Sequence, residues 1–233
     1  MNLFYSPDIE QPFHQLPEEE SKHIHRVLRL MEGDELFLTN GKGVIYQCEI
    51  SSASPKKCMV RILSTEETQA NPVQLHIAIA PTKNISRFEW FLEKATEIGI
   101  DEITPLICSH SERKVVKTDR LNKILITAMK QSLKSRLPKI NQTTSFNELI
   151  HKGFDGQKFI AYCETGNEDL LQKAYLPGSS TLILIGPEGD FSPEEIEQAK
   201  QAGFIPVSLG NSRLRTETAG VVACHTICLL TQI

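Results

Sequence analysis

A short apolar strand that runs straight into a glycine-bracketed loop and a capped helix constrains this chain more than any other stretch. Thr181-Leu-Ile-Leu-Ile185 reads as a buried strand, because no polar residue alternates with its apolar ones. Gly186-Pro187-Glu188-Gly189-Asp190-Phe191 follows, and then Ser192-Pro193-Glu194-Glu195. Ser192 is placed to cap a helix, Pro193 suits its first position, and Glu195 closes a capping box. Open α/β sheets hold ligands at such strand-to-helix loops. A second unit of this kind comes next, with Pro206-Val-Ser-Leu-Gly210 leading into Asn211-Ser-Arg-Leu-Arg-Thr-Glu-Thr-Ala219. Two such loops can converge on one small molecule.

Familiar loop chemistries do not fit the first of them. It lacks the spacing and the Lys-Ser/Thr pair of a P-loop. Only two glycines are present, and Pro187 has no N–H to offer a pyrophosphate, so a dinucleotide fingerprint is excluded. No Gly-x-Ser-x-Gly nucleophile elbow occurs. Taken alone, Gly-Pro-Glu-Gly is a turn, and it gains meaning from the company of Leu209-Gly210 and Leu214-Arg-Thr-Glu-Thr-Ala219.

With 233 residues the chain has room for one large or two modest domains. It has no run of eighteen apolar residues and no signal-like N-terminus, so a soluble, cytoplasmic protein is expected, away from membranes. Six cysteines (48, 58, 108, 163, 224 and 228) sit in apolar surroundings without the spacing of a zinc site. Buried reduced thiols and no metal are therefore expected. The net charge of −4 argues against nucleic acid, but its distribution does not. Between His110 and Ile140 nine basic residues face two acids, leaving +7 there and −11 elsewhere. A local basic surface on an acidic protein suits phosphate, although a solvated helix face explains the same charges.

In chain order, residues 1–70 read as a small β-rich domain. Pro17-Glu-Glu-Glu20 opens a short helix that continues through Arg29, with Ile24, Val27 and Leu28 on one face and Lys22, Arg26 and Arg29 on another. Strands are expected over Glu35–Thr39, Val44–Ile50 and Lys57–Leu63, the first two joined by Asn40-Gly-Lys-Gly43. His23 and His25 suit packing or phosphate contact better than metal ligation. The polar stretch Ser64–Pro72 marks a domain boundary. From Val73 strands and helices alternate: strand Val73–Ala80, helix Arg87–Ile98 ended by Gly99, strand Glu102–Cys108 and helix Asp119–Arg136. A helix after Ser145, strand Lys158–Cys163 and a helix around Asp169–Ala174 complete the run. Lys94 and Glu97 read as an internal i,i+3 pair. The pattern predicts an α/β fold with a largely parallel sheet covered on both faces. The closing helix, Thr216 to about Leu230, is apolar around nearly all its circumference and must be covered on both sides, by the domain interior or by a second subunit.

These residues together resemble the RsmE family of SPOUT methyltransferases. The resemblance rests on Ile185-Gly-Pro-Glu-Gly189, on Leu209-Gly210, and on Leu214-Arg-Thr-Glu-Thr-Ala219. Phe88-Glu-Trp-Phe-Leu-Glu-Lys-Ala-Thr-Glu-Ile-Gly99 and Gln131-Ser132…Arg136-Leu-Pro138 also match. It implies S-adenosylmethionine-dependent methylation of N3 of a uridine in 16S ribosomal RNA, within the small ribosomal subunit. It further implies a SPOUT domain over 73–233 with a deep trefoil knot, a PUA-like β-barrel over 1–70, and a homodimer through the closing helix. By that resemblance the cofactor is held by Leu184, Ile185, Gly186, Pro187, Glu188 and Gly189 of the first loop. Leu209, Gly210, Asn211, Leu214 and Thr218 hold it from the second. Ser212-Arg213 departs from the family's usual x-Arg-Ile-Leu-Arg, so the basic charge stands one position along.

Removing the N3 proton of uracil leaves an anion delocalised over O2 and O4, which a nearby cation stabilises. Arg215 is the preferred cation, with Arg136 as another, and Glu217 is the nearest candidate base. A glutamate in a first helical turn is equally a dipole partner. Lys22, Arg26, Arg29, Arg113, Lys130, Gln131 and Lys134 are expected to face RNA. Two other readings remain: a SPOUT enzyme acting on a ribose 2′-hydroxyl or a purine, and a non-catalytic RNA-binding relative.

Overall fold

A computed structural model describes residues 2–162 and 169–231. The chain forms two compact units, Met1–Ala70 with Ile126–Leu137, and Asn71–Leu125 with Pro138–Ile233.

The first unit is a five-stranded sheet in the order β1-β3-β4-β5-β2. Its strands are β1 (Leu3–Tyr5), β2 (Phe13–Gln15), β3 (Glu35–Thr39), β4 (Val44–Ser52) and β5 (Met59–Glu67). The β3–β4–β5 meander follows the expected strands, and Cys58, Val60, Leu36, Leu38 and Cys48 point into one core with Phe4 and Ile24. Two expectations are corrected here. The β5 strand continues through Ser64-Thr-Glu-Glu67, four residues past the expected end at Leu63, with its polar side chains decorating a paired strand. After α1 (Glu18–Lys22) the chain passes into a π turn over His23–Leu28, ended by Arg29 in the left-handed region at φ 55°. Bonding five residues back re-phases the helix. Ile24 stays buried, but Val27, expected on the same face, is 67% exposed.

The second unit is built on a parallel sheet in the order β12-β10-β11-β6-β7-β8, with β9 also on β7. Its strands are β6 (Leu75–Ile79), β7 (Glu102–Ile107), β8 (Lys139–Ile140), β9 (Thr144–Ser145), β10 (Gln157–Ala161), β11 (Thr181–Ile185) and β12 (Ile205–Val207). The strands β10, β11 and β6 run in register, pairing Phe159 with Ile183 and Ile183 with Ile77. Every residue of β6 and β11 is buried, as expected for strands covered on both faces. On one face Ala78, Leu106, Ile160, Leu182 and Leu184 pack with α4 (Phe146–His151), α6 (Pro193–Gln201), Phe191 and Phe204. On the other, α7 (Thr216–Thr231) packs on β6 and β11 and against α2 (Ile85–Ile98). A short α5 (Leu171–Ala174) also meets α7.

Caps explain the helix boundaries. The Asn84 side chain accepts from Ser86 N, so α2 starts two residues before the periodicity suggested. Ser145 and Ser192 cap α4 and α6, the latter with both bonds of the capping box. The helix α3 (Thr118–Gln131) ends five residues earlier than expected. Leu133 takes φ 55°, and the stretch through Arg136 turns back to the first unit, where Ser135 O accepts from Gly43 N. Among the described residues the closing helix is covered mainly on one side. Gly220, Ala223, Cys224 and Ile227 are buried, whereas Leu229 is 49% exposed and Val221, Val222 and Leu230 are half-buried. Cys48, Cys58, Cys108 and Cys224 are buried free thiols and Cys228 is half-buried. Cys163, read as the end of β10, lies outside the described residues.

Candidate active site

Parallel strands deliver their C-terminal loops to one edge of the sheet, and four of those loops carry the polar residues of interest. The β11–α6 loop begins on Leu184 and Ile185, both buried, and turns at Pro187, whose carbonyl accepts from Asp190 N at 2.9 Å. Asp190 itself takes φ 62°. Neighbouring loops hold this turn from two sides. The Glu188 carboxylate accepts from Lys83 N at 3.0 Å, in the β6–α2 loop. His110 Nδ1, in the β7–α3 loop, lies 3.0 Å from both Gly189 O and Asp190 O. Glu195 adds to its capping role by accepting from Ser109 N at 2.8 Å.

The three expected cradle glycines differ. A side chain at Gly186 would meet the Phe191 ring at 3.1 Å, and one at Gly189 would meet His110 Cβ at 3.1 Å. Protein atoms fill that space. Gly210 has φ +129°, and among the described residues nothing lies within 4 Å of where its Cβ would be. Its backbone is therefore open to close approach by a ligand.

The β12–α7 loop is tied at its base, where Ser208 N donates to Asp169 O at 3.0 Å and the Ser208 hydroxyl bonds both N–H and C=O of Gly210. Asn211 is exposed and Leu214 half-buried. Arg215 is exposed, and its carbonyl accepts from Ala219 N at 2.8 Å in the first turn of α7. Two residues on, Glu217 is buried with its side chain 7% exposed. Its Oε1 lies 3.8 Å from Arg87 Nε, and its Oε2 has no hydrogen-bond partner among the described residues. A buried carboxylate oxygen left in that state is costly unless a donor completes it. Thr218 beside it is half-buried. Arg87, Lys83 and His110 were not singled out from sequence, where only their neighbours carried a pattern.

Other expected residues stand elsewhere. Arg136 belongs to the first unit, where its guanidinium donates to Lys42 O at 3.1 Å and Thr68 O at 2.7 Å. Lys130 pairs with the buried Glu20 at 2.6 Å in that unit, so it is a structural cation. Lys22 pairs with Glu18 at 2.6 Å; Arg26, Arg29 and Gln131 are exposed, and Lys134 is half-buried. Arg113 donates to Thr82 O at 3.0 Å and Lys83 O at 2.7 Å, which commits it to the β6–α2 loop. Lys94 pairs with Glu97 at 2.9 Å, as the spacing suggests. Among the described residues no three His, Cys, Asp or Glu side chains gather as metal ligands. Nor, among those residues, is any helix long and apolar enough to cross a membrane.

This geometry sits in a chain with clear relatives. A family model for an RNA methyltransferase domain matches residues 69–228, and one for an RNA methyltransferase PUA domain matches residues 16–63. The ribosomal RNA small subunit methyltransferase E of Bacillus subtilis (strain 168) is 30% identical, covering 96% of this chain and 93% of its own length. The chain belongs to the RsmE family. It is thus an RNA methyltransferase by descent. A crystal structure of a probable rRNA-methyltransferase from Porphyromonas gingivalis is 47% identical, with a TM-score of 0.93 over 100% of this chain and 99% of that one. The RsmE of Neisseria gonorrhoeae bound to S-adenosyl methionine is 26% identical, with a TM-score of 0.90 over 99% and 98% of the two chains.

Proposed function

We propose that this RsmE enzyme transfers a methyl group from S-adenosylmethionine to N3 of a uridine in 16S ribosomal RNA, at the edge where the β11–α6 and β12–α7 loops emerge. One observation carries the placement. Among the described residues the buried Glu217 Oε2 lacks a partner, and Arg215 is exposed, so an acceptor and a cation lie two residues apart at the start of α7. The residues present fit the cofactor. The open backbone at Gly210 admits it, and Leu184–Gly189 with Leu209–Leu214 and Thr218 are assigned to its adenosine and methionine parts. When bound, it supplies an electrophilic methyl group on a positive sulfonium.

The chain's own residues then deal with the uracil. Glu217 is assigned as the base for the N3–H proton, and the freed lone pair is the nucleophile. Arg215 faces the negative charge that spreads to the carbonyl oxygens, lowering the cost of forming it. Arg87 Nε lies 3.8 Å from the other carboxylate oxygen, Oε1, and so fixes the side of Glu217 that faces α2. Positioning supplies the rest, since a bound, aligned pair reacts without further loss of translational freedom.

The fold supports the wider reading. The two loops are assigned to a trefoil knot, and residues 1–70 to a PUA-like barrel that presents Arg26 and Arg29 to RNA. The half-open face of α7, with Leu229, Val221 and Leu230, is assigned to a homodimer interface, and the protein to the cytoplasm. Incubation with 16S RNA or small subunits and methyl-labelled cofactor, followed by nucleoside mass analysis, tests the reaction. It should yield 3-methyluridine, whereas label on a ribose or a purine rejects the assignment.

A further inference from the structure

We propose that His110 is a positioning residue for the cofactor loop, holding Gly189 and Asp190 by a fixed Nδ1–H, with Arg113 locking the same brace from behind. It rests on the reading that the β11–α6 loop holds S-adenosylmethionine. The geometry settles the proton on the ring. Both carbonyl oxygens that lie 3.0 Å from His110 Nδ1 can only accept, so Nδ1 must carry the hydrogen and donate. One N–H shared between two carbonyls thereby fastens the turn from outside. From within, Asp190 N closes it on Pro187 O, with Asp190 at φ 62°.

The brace runs through three loops. Arg113 Nε and Nη2 reach Thr82 O and Lys83 O, and Lys83 N returns to Glu188 Oε1. Lys83 Nζ pairs with Glu112 Oε2 at 2.8 Å, and the Ser111 hydroxyl accepts from Cys108 N at 2.9 Å to set the turn that presents His110. Thus the segment Cys108–Arg113 grips both ends of the Glu188–Asp190 turn, and Gly189 is small enough for His110 to lie on it. A loop ordered before the cofactor arrives spares the ordering entropy on binding. Loss of His110 should therefore appear as weaker cofactor binding with little change in the chemical step.

Full-length wild type, His110→Ala and His110→Asn would be compared in cofactor titrations, in methyl-transfer kinetics and in amide hydrogen exchange over residues 186–192. The asparagine amide can donate from about the same place as Nδ1. We expect His110→Ala to weaken cofactor affinity about tenfold, the scale of one missing hydrogen bond. Its kcat at saturating cofactor should stay within about twofold. Loop amides should exchange faster, and His110→Asn should restore both affinity and protection. Nitrogen chemical shifts at pH 8 should report an Nδ1–H ring. Unchanged affinity and exchange in His110→Ala, an asparagine that rescues neither, or an Nε2–H ring would each overturn the proposal. If wild type bound no cofactor while His110→Ala still loosened the loop, the site reading would fail and the brace would stand.

Discussion

The two ends of the parallel sheet are made from the same strands but handle polar residues in opposite ways. At the N-terminal end, His76 Nε2 lies 2.7 Å from the Thr104 hydroxyl, which also accepts from Asn141 Nδ2 at 2.7 Å. Asn141 reaches Glu102 Oε1 at 2.6 Å, Lys139 reaches the same oxygen at 3.0 Å, and Asp101 Oδ2 accepts from Leu75 N. The groups there satisfy one another, and the cluster ties β6, β7 and the segment after β8 together. At the C-terminal end the hydrogen bonds run between loops and, among the described residues, stop short at Glu217 Oε2, with Arg215 exposed two residues away. A closed network stabilises the fold; an open one has capacity left for a ligand.

The sharpest way to break that contrast is at Arg215. Arg215→Ala should reduce kcat by about a hundredfold or more, the scale of removing one transition-state donor, with cofactor affinity changing less. Single-turnover methyl transfer alongside cofactor titration measures both. Equal losses would make Arg215 a cofactor-holding residue. Thermal stability should hardly move, since the side chain is exposed.

The opposite end should fail through pH and leave catalysis alone at neutrality. Burial pushes His76 down from 6.5 to about 4, against which the charges around it, Glu102, Lys139 and Lys152, are secondary. Its neutral form is therefore the folded form. Below pH 6.5 the unfolded chain takes up a proton that the folded chain refuses, so stability is full above that pH and falls as the pH drops toward 4. Between pH 6.5 and 5 the loss should be about 2 kcal/mol. Urea unfolding at pH 7 and 5 checks this, with His76→Leu expected to be nearly flat across the same window. A wild type as stable at pH 5 as at pH 7 would remove His76 from the argument.

How much of this could be read from the chain differs between the same two ends. Ser192-Pro193-Glu194-Glu195 announced its capping box because each of its bonds is local. The apolar run of β11 likewise announced a buried strand, and the alternation of strands and helices announced a sheet covered on both faces. The loop brace was not legible. His110 meets Gly189 across 79 positions, and no local pattern encodes an interaction of that span. Arg87 and Glu217 are farther apart still, and burial of a glutamate in a first turn has no sequence signature. Charge misled in another way. Counting nine cations between His110 and Ile140 suggested one basic surface, but Ile126–Leu137, with Lys130, Lys134 and Arg136, belongs to a different unit from the residues on either side of it.

That division sharpens the smallest predictions. Lys130 is only 21% exposed and pairs with a carboxylate that also accepts from Tyr5 N. Lys130→Ala should cost about 1–2 kcal/mol of stability, because Glu20 would be left buried and unpaired, and unfolding midpoints will register it. It should leave the salt dependence of RNA binding unchanged. Lys114 and Lys117 are exposed before the start of α3 and so have the reach of phosphate ligands. Replacing both with Gln should weaken RNA binding a few-fold and lower the slope of log affinity against log salt by about 1–2, roughly one for each phosphate no longer neutralised. An unchanged slope would mean that these lysines are merely solvated, and the phosphate-facing role would then pass to Arg26 and Arg29 of the first unit.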